Sequence, residues 1–284
     1  MSPLYDPKAI EKCFDEMGLD EWERMVRTPT NRVGFHIHNH YLQRYIKQGD
    51  NVLEIGPGPG RYTIELAKLG TRVSIIDISS VQLQLNRQKI TEAGYEEAVA
   101  WRKKMDIRDL SELEDESFDA VVAYGGPLSY VFEYVRDALG EVIRVTRPNG
   151  YILLGVMSTV GTFQYLVEEV FKLVDDVGIE RTEQVLMDGN VIGSVAAPNR
   201  HYCHMFRWSE LREILSEYPC EIVVKSASAV LSNSLSSHEI LEEIMKDQKK
   251  WNAFLRWELN VCKESGAIDC GTHMIVVLRK KKSF

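Results

Sequence analysis

The 284-residue sequence predicts an α/β protein built on a mostly parallel sheet with helices on both faces. Three observations carry that prediction. Between residues 51 and 157, short apolar runs alternate with helix-like stretches in the order β-α-β-α-β-(α)-β-α-β. The first run, Val52-Leu53-Glu54-Ile55, opens directly into Gly56-Pro57-Gly58-Pro59-Gly60-Arg61 and then a helical stretch. Glycine there lets a ligand approach the backbone where a side chain would block it. The helix start beyond offers free N–H groups and a positive dipole end. The second strand ends in a carboxylate, Asp77, and a second, Asp106, follows the third strand. In open parallel sheets, ligands bind at the carboxyl ends of strands.

The elements follow in order. Ile10, Cys13, Phe14 and Met17 recur at helical spacing within residues 7–27, interrupted near Gly18 and Asp20. A second helix is expected from Arg32 to Ile46, ending before the Gln48-Gly49-Asp50 turn. After the glycine loop come a helix from Tyr62 to Leu69 and a second strand, Thr71 to Asp77. A helix from Ser80 to Ile90, a third strand from Val99 to Lys104 and a fourth from Ser117 to Ala123 succeed it. Val131 to Thr146 reads as a helix, Arg147-Pro148-Asn149-Gly150 as a turn and Tyr151 to Met157 as the fifth strand. Beyond residue 158 the alternation breaks. Phe163 to Val174 is expected to be helical, with Leu166, Val167, Val170, Phe171 and Val174 sharing an apolar face. A helix from Ser209 to Leu215 and a strand from Glu221 resume the core. Helical patterning returns from Ile240 to Cys262, and His273 to Leu278 forms the last strand. The expected organisation is an N-terminal helical cap over 1–48 and an α/β domain over 49–284. That domain is interrupted by insertions at about 159–207 and 231–270.

Bulk properties narrow the function. Hydrophobic residues make up 44% and charged residues 27%, as in ordinary globular proteins. With 34 basic against 42 acidic residues the net charge is −8, which does not favour a nucleic-acid partner. Five scattered cysteines without a C-x-x-C pair argue against a disulfide framework and a zinc site. They fit a reducing, cytoplasmic setting. No uncharged apolar run approaches membrane-spanning length, and the N-terminus lacks a signal-peptide pattern.

Two cofactor classes use a glycine loop after a first strand. The dinucleotide fingerprint needs G-x-G-x-x-G, but its third glycine position falls on Arg61. Glu54-Ile55-Gly56-Pro57-Gly58-Pro59-Gly60 instead resembles the first motif of the class I S-adenosylmethionine-dependent methyltransferases, an acid at the strand end followed by G-x-G-x-G. The resemblance implies a Rossmann-like, seven-stranded sheet with its last strand antiparallel. It implies S-adenosyl-L-methionine as cofactor, held by Glu54, Gly56, Gly58, Gly60, Asp77, Ile78, Asp106, Ile107 and Tyr124. Glu54 would face the cationic methionine end. Asp77, 17 residues after Gly60, offers two acceptor oxygens to a ribose diol. Asp106 matches the family position that bonds the adenine amine, with Ile107 beside it. Asp119 falls on a recurring fourth-strand position whose role is structural.

The loop Tyr124-Gly125-Gly126-Pro127 is not the N/D-P-P-Y/F loop of enzymes that methylate nucleobases or glutamine. A small-molecule methyl acceptor is therefore expected. A protein or RNA methyltransferase, or a non-catalytic cofactor-binding subunit, are the alternatives. The acceptor atom is left open. Catalytic candidates are Tyr124, His36 and His201. His36, His38 and His40 form H-x-H-x-H; on a helix only His36 and His40 share a face, and no third ligand completes a metal site. His204 is read as an ordinary surface histidine.

Overall fold

The computed structural model describes residues 4–192, 202–235 and 238–282. Three helices come first: α1 (Pro7–Met17), α2 (Asp20–Arg24) and α3 (Pro29–Tyr45). Asp6 caps α1, accepting from Lys8 N–H and Ala9 N–H. Thr28 and Asn31 form a reciprocal capping box at α3, with Pro29 at its first position. That cap starts α3 earlier than the apolar pattern alone indicates.

The core continues with β1 (Asn51–Ile55), α4 (Arg61–Lys68), β2 (Arg72–Asp77), α5 (Ser80–Glu92), β3 (Val99–Lys104), β4 (Phe118–Ala123), α6 (Val135–Val145) and β5 (Thr146–Met157). Helix α6 starts at Val135, not Val131, because Pro127–Tyr130 and Phe132–Tyr134 coil as short 3₁₀ turns first. The expected turn at residues 147–150 is absorbed into β5 as an irregularity in its pairing with β4, with Asn149 at φ 64°.

The next part holds α7 (Thr159–Tyr165), α8 (Val167–Val177), α9 (Ile179–Asp188), and the short strands β6 (Asn190–Val191) and β7 (Cys203–His204). The expected apolar face of residues 163–174 is not buried. Phe171 is 69% exposed and Val167 49%, and Leu173 is the one fully buried side chain of α8. Helices α8 and α9 pack on each other, and the stripe that periodicity picked out stays largely exposed. Then come α10 (Trp208–Ser216), β8 (Cys220–Ser228), α11 (Val230–Asn233), α12 (His238–Lys246), α13 (Gln248–Cys262) and β9 (His273–Lys280). Asp247 caps α13 through Lys249 N–H and Lys250 N–H, dividing one helical pattern into two helices.

The seven core strands order as β3-β2-β1-β4-β5-β9-β8. Strands β1 to β5 pair in parallel, and β9 runs antiparallel to both β5 and β8. Successive residues serve opposite faces. Leu53, Ile55, Val121, Ile152 and Leu154 join α6 and α10 in one core; Val52, Val73, Ile75, Val122 and Val277 join α3, α4 and α13 in the other. Helices therefore cover both faces, as the alternation of elements requires. The edge of β1 is fixed by Asp119, which accepts from Asn51 N–H at 2.9 Å and from Arg147 at 2.6 Å.

Candidate active site

The strand tips open on one cavity. Its floor is Glu54 to Gly58, Ile76 to Ile78 and Met105 to Ile107, and its walls come from α1, α3, Tyr124, and residues 228–233 and 272–273. Glu54, Gly56, Gly58, Asp77, Ile78, Asp106, Ile107 and Tyr124 all line it; Gly60 and His36 do not.

Each glycine of the loop has its own reason. All three take positive φ, 62°, 54° and 95°. A Cβ on Gly56 would meet Pro127 Cγ at 2.9 Å, and one on Gly58 would meet Glu21 Cγ at 3.3 Å, both cavity residues. A Cβ on Gly60 would instead strike Asn86 Nδ2 at 2.6 Å, on α5. Gly60 is thus a packing and helix-start residue, at the N-cap of α4, rather than part of the ligand cradle.

The carboxylates differ in environment. Glu54 is buried and accepts from Thr63 Oγ1 at 2.6 Å. Burial, with a smaller push from Asp77, raises it to about 8. Asp77 is also buried, accepting Gly58 N–H at 3.2 Å and Ser79 N–H at 2.9 Å. Burial raises it to about 6, and the backbone donors oppose that rise. Asp106 accepts from Tyr5 OH at 2.7 Å and from Arg108, whose guanidinium lies 3.9 Å from the Tyr5 ring centre. The N-terminal segment therefore reaches the same carboxylate that the third strand presents.

Opposite the strand tips lies an aromatic wall of which the sequence singled out Tyr124 alone. Phe35 stacks on Tyr62 at 5.1 Å, Tyr62 meets Tyr124 edge-on at 5.3 Å, and His38 meets Tyr124 edge-on at 4.8 Å. Beside them line Thr30, Asn233, Ser228 and His273. Thr30 Oγ1, Tyr124 OH and both amide atoms of Asn233 are buried without a hydrogen-bond partner. Such atoms cost about 1–3 kcal/mol each unless something satisfies them. The legible signal was the spacing of α3, where Thr30, Gly34 and His38 recur every four residues. His36 and His40 turn to other faces of α3 and His40 packs on Tyr41. No group of three or more potential metal ligands occurs among the described residues. His204 bridges Asn190 at 2.8 Å and Glu210 at 2.9 Å, outside the cavity. His201 lies outside the described residues.

A glycine cradle and three carboxylates at successive strand tips fit a nucleoside bearing a charged tail. Residues 52–150 match the family model described as a methyltransferase domain. A protein of Geobacillus sp. (strain WCH70) that carries a methyltransferase name is 26% identical over 166 residues, covering 57% of this chain and 58% of that protein. The ribosomal protein L11 methyltransferase of Exiguobacterium sp. is 35% identical over 83 residues, covering 29% of this chain and 25% of that protein. The chain thus spans a quarter to about three fifths of these relatives. A solved chain from the complex of the Haloferax volcanii Trm112 methyltransferase activator with a methyltransferase superposes with TM-score 0.59 at 17% identity, covering 97% of this chain and 99% of that one. The match over residues 52–150 and the superposition together show the fold of a methyltransferase domain. No described helix is long and apolar enough to cross a membrane.

Proposed function

We propose that the protein transfers the cofactor's methyl group to a small-molecule acceptor by in-line displacement. When bound, the cofactor supplies a methyl carbon on a cationic sulfur, so positioning and desolvation are what the protein must add. In this reading Gly56 and Gly58 admit the cofactor backbone-close, Asp77 accepts from its ribose, and Asp106 with Ile107 frames its adenine. Glu54 faces the cationic methionine end, and Tyr124 stands beside the reacting carbon. The supporting observation is that one cavity joins these residues to a second wall of buried polar atoms without partners, built from α3 and residues 228–233. A wall drawn from the chain's own helices fits an enclosed acceptor of modest size.

The test is calorimetric titration with S-adenosylhomocysteine, NAD in a parallel cell, followed by an acceptor screen. Binding of the first and not the second is expected; NAD binding alone would reverse the assignment of Gly56 to Gly60. One observation favours a macromolecular acceptor or an activating partner instead, the exposed apolar residues Phe171, Ile179 and Met187 on α8 and α9. Methylation of a protein in cell extract, lost when Phe171 becomes Glu, would support that reading.

A further inference from the structure

His38 is the cavity residue that the cofactor does not explain. It sits on α3, 6% exposed, one helical turn after Gly34. Gly34 has no side chain, and a Cβ there would come within 3.2 Å of Ser228 Oγ, so β8 approaches α3 closely at this point. The Gly34 carbonyl lies 2.8 Å from His38 Nδ1. A carbonyl can only accept, so Nδ1 carries a proton. In the neutral ring that leaves Nε2 with the free lone pair.

Several groups surround the ring. Tyr62 from α4, Tyr124 from the tip of β4 and His273 from the start of β9 lie at 5.7, 4.8 and 6.5 Å between ring centres. None of these three neighbours is a carboxylate or an ammonium. Among the described lining residues the one cation besides the histidines is Arg24, and it is paired with Glu21 at 2.5 Å. Burial pushes His38 down to about 4, so the imidazole is neutral across the physiological range. Glu21 and Asp106 are already engaged by arginines, and Asp77 and Glu54 lie on the cofactor side.

We propose that His38 is the general base of this site and that the acceptor is an uncharged aromatic hydroxyl compound. The inference rests on the methyltransferase reading above. His38 Nε2 takes the hydroxyl proton while the oxygen forms its bond to the methyl carbon. The carbon–sulfur electron pair stays on sulfur, and the imidazolium returns its proton to solvent. The ring wall of Phe35, Tyr62 and Tyr124 matches a flat apolar skeleton. The unpartnered atoms of Thr30 and Asn233 match its polar substituents, and the absence of an unpaired arginine or lysine among the described lining residues disfavours a carboxylate or phosphate acceptor.

The experiment has three arms, with binding and methyl transfer measured on wild type and on His38→Asn, which can still donate to the Gly34 carbonyl but offers no basic nitrogen. Calorimetry with S-adenosylhomocysteine is expected to give affinities within about twofold of each other, since His38 does not serve the cofactor. Nitrogen-15 NMR of the wild-type imidazole is expected to show the proton on Nδ1 at pH 7. Tritium transfer from S-[methyl-³H]adenosylmethionine is measured on a panel of monocyclic phenols, with benzoate and benzylamine alongside. Phenols are expected to be the acceptors, with the variant slower by about 10²–10⁴-fold. The variant's residual rate should climb with pH toward the phenol's own ionisation, near pH 10, while wild type is flat above pH 6. An unchanged rate in the variant, a proton on Nε2, preference for benzoate or benzylamine, or no transfer to any phenol by protein that binds S-adenosylhomocysteine would each overturn the assignment. Failure of wild type to bind S-adenosylhomocysteine would overturn the methyltransferase reading beneath it.

Discussion

Replacing Asp77 with Asn tests the ribose assignment while keeping the side-chain shape. Both carboxylate oxygens already accept one backbone N–H, from Gly58 and Ser79, so each has one acceptor site left for a ligand hydroxyl. Two hydroxyls bonded to a buried carboxylate contribute about 1.5–3 kcal/mol each. Asparagine keeps one acceptor oxygen, loses the charge and sets an NH₂ against either the Gly58 or the Ser79 donor. The expected loss is about 3 kcal/mol, or somewhat over 100-fold in affinity for S-adenosylhomocysteine. The pH dependence gives a second reading. The Asp77 carboxyl moves from 3.8 to about 6 on folding, so the native state holds its proton more tightly than the unfolded chain. Its contribution is therefore fully present at low pH and is lost as pH rises between those two values, by about 3 kcal/mol. A ligand diol prefers the carboxylate, so affinity should rise by up to about tenfold per pH unit below 6 and level off above it. Calorimetry from pH 5 to 8 on both proteins checks this, and the Asn variant should be flat. Equal affinities at pH 7.5, or the same slope in both, would refute the reasoning.

Glu54→Gln should raise Tm at pH 8.5 by roughly 5 °C and much less at pH 5, measured by calorimetric scans, because the folded-state shift to about 8 makes the wild-type carboxyl costly as pH rises from 4.5. Gly60→Ala should lower stability by about 2 kcal/mol through its contact with Asn86 and its φ of 95°, yet leave the cofactor affinity of the folded fraction unchanged. Gly58→Val should abolish S-adenosylhomocysteine binding instead, so a Gly58 variant that binds like wild type contradicts the cradle. Glu258→Ala removes the buried acceptor for Val230, Leu231 and Ser232 N–H groups, at 2.6, 2.9 and 2.9 Å. A loss of about 3 kcal/mol is expected by chemical denaturation.

How much of this was legible depended on whether the signal was local. The Gly56–Gly60 loop, Asp77 and Asp106 announce themselves because strand, turn and carboxylate are neighbours in sequence. The regular elements of residues 51–157 follow for the same reason, apart from the 3₁₀ turns before α6, where Pro127 and the aromatic residues override helical patterning. The second wall of the cavity was legible only in part. Thr30 and His38, Asn233 and His273 meet only after α3, residues 228–233 and the start of β9 converge, and the four-residue spacing of Thr30, Gly34 and His38 marks a shared helix face without saying that the face lines a cavity. The apolar stripe through Phe171 failed for the opposite reason. Periodicity reports that a helix has a greasy side, not that a surface exists to cover it.

The placement of β9 between β5 and β8 carries a kinetic consequence. In chain order β8 precedes β9, yet it touches the sheet only through it. The sheet cannot be completed until a strand more than a hundred residues beyond β5 threads into position, a step with a large loop-closure cost. The cofactor end of the cavity rests on β1, β2 and β3, whose pairings are short in sequence. The opposite end, with Ser228, Thr272 and His273, exists only once that late insertion is made. A folding intermediate that cradles a nucleoside before Ser228, Thr272 and His273 close the far end of the cavity is the expected order of assembly, and core substitutions in β9 should speed unfolding more than they slow folding.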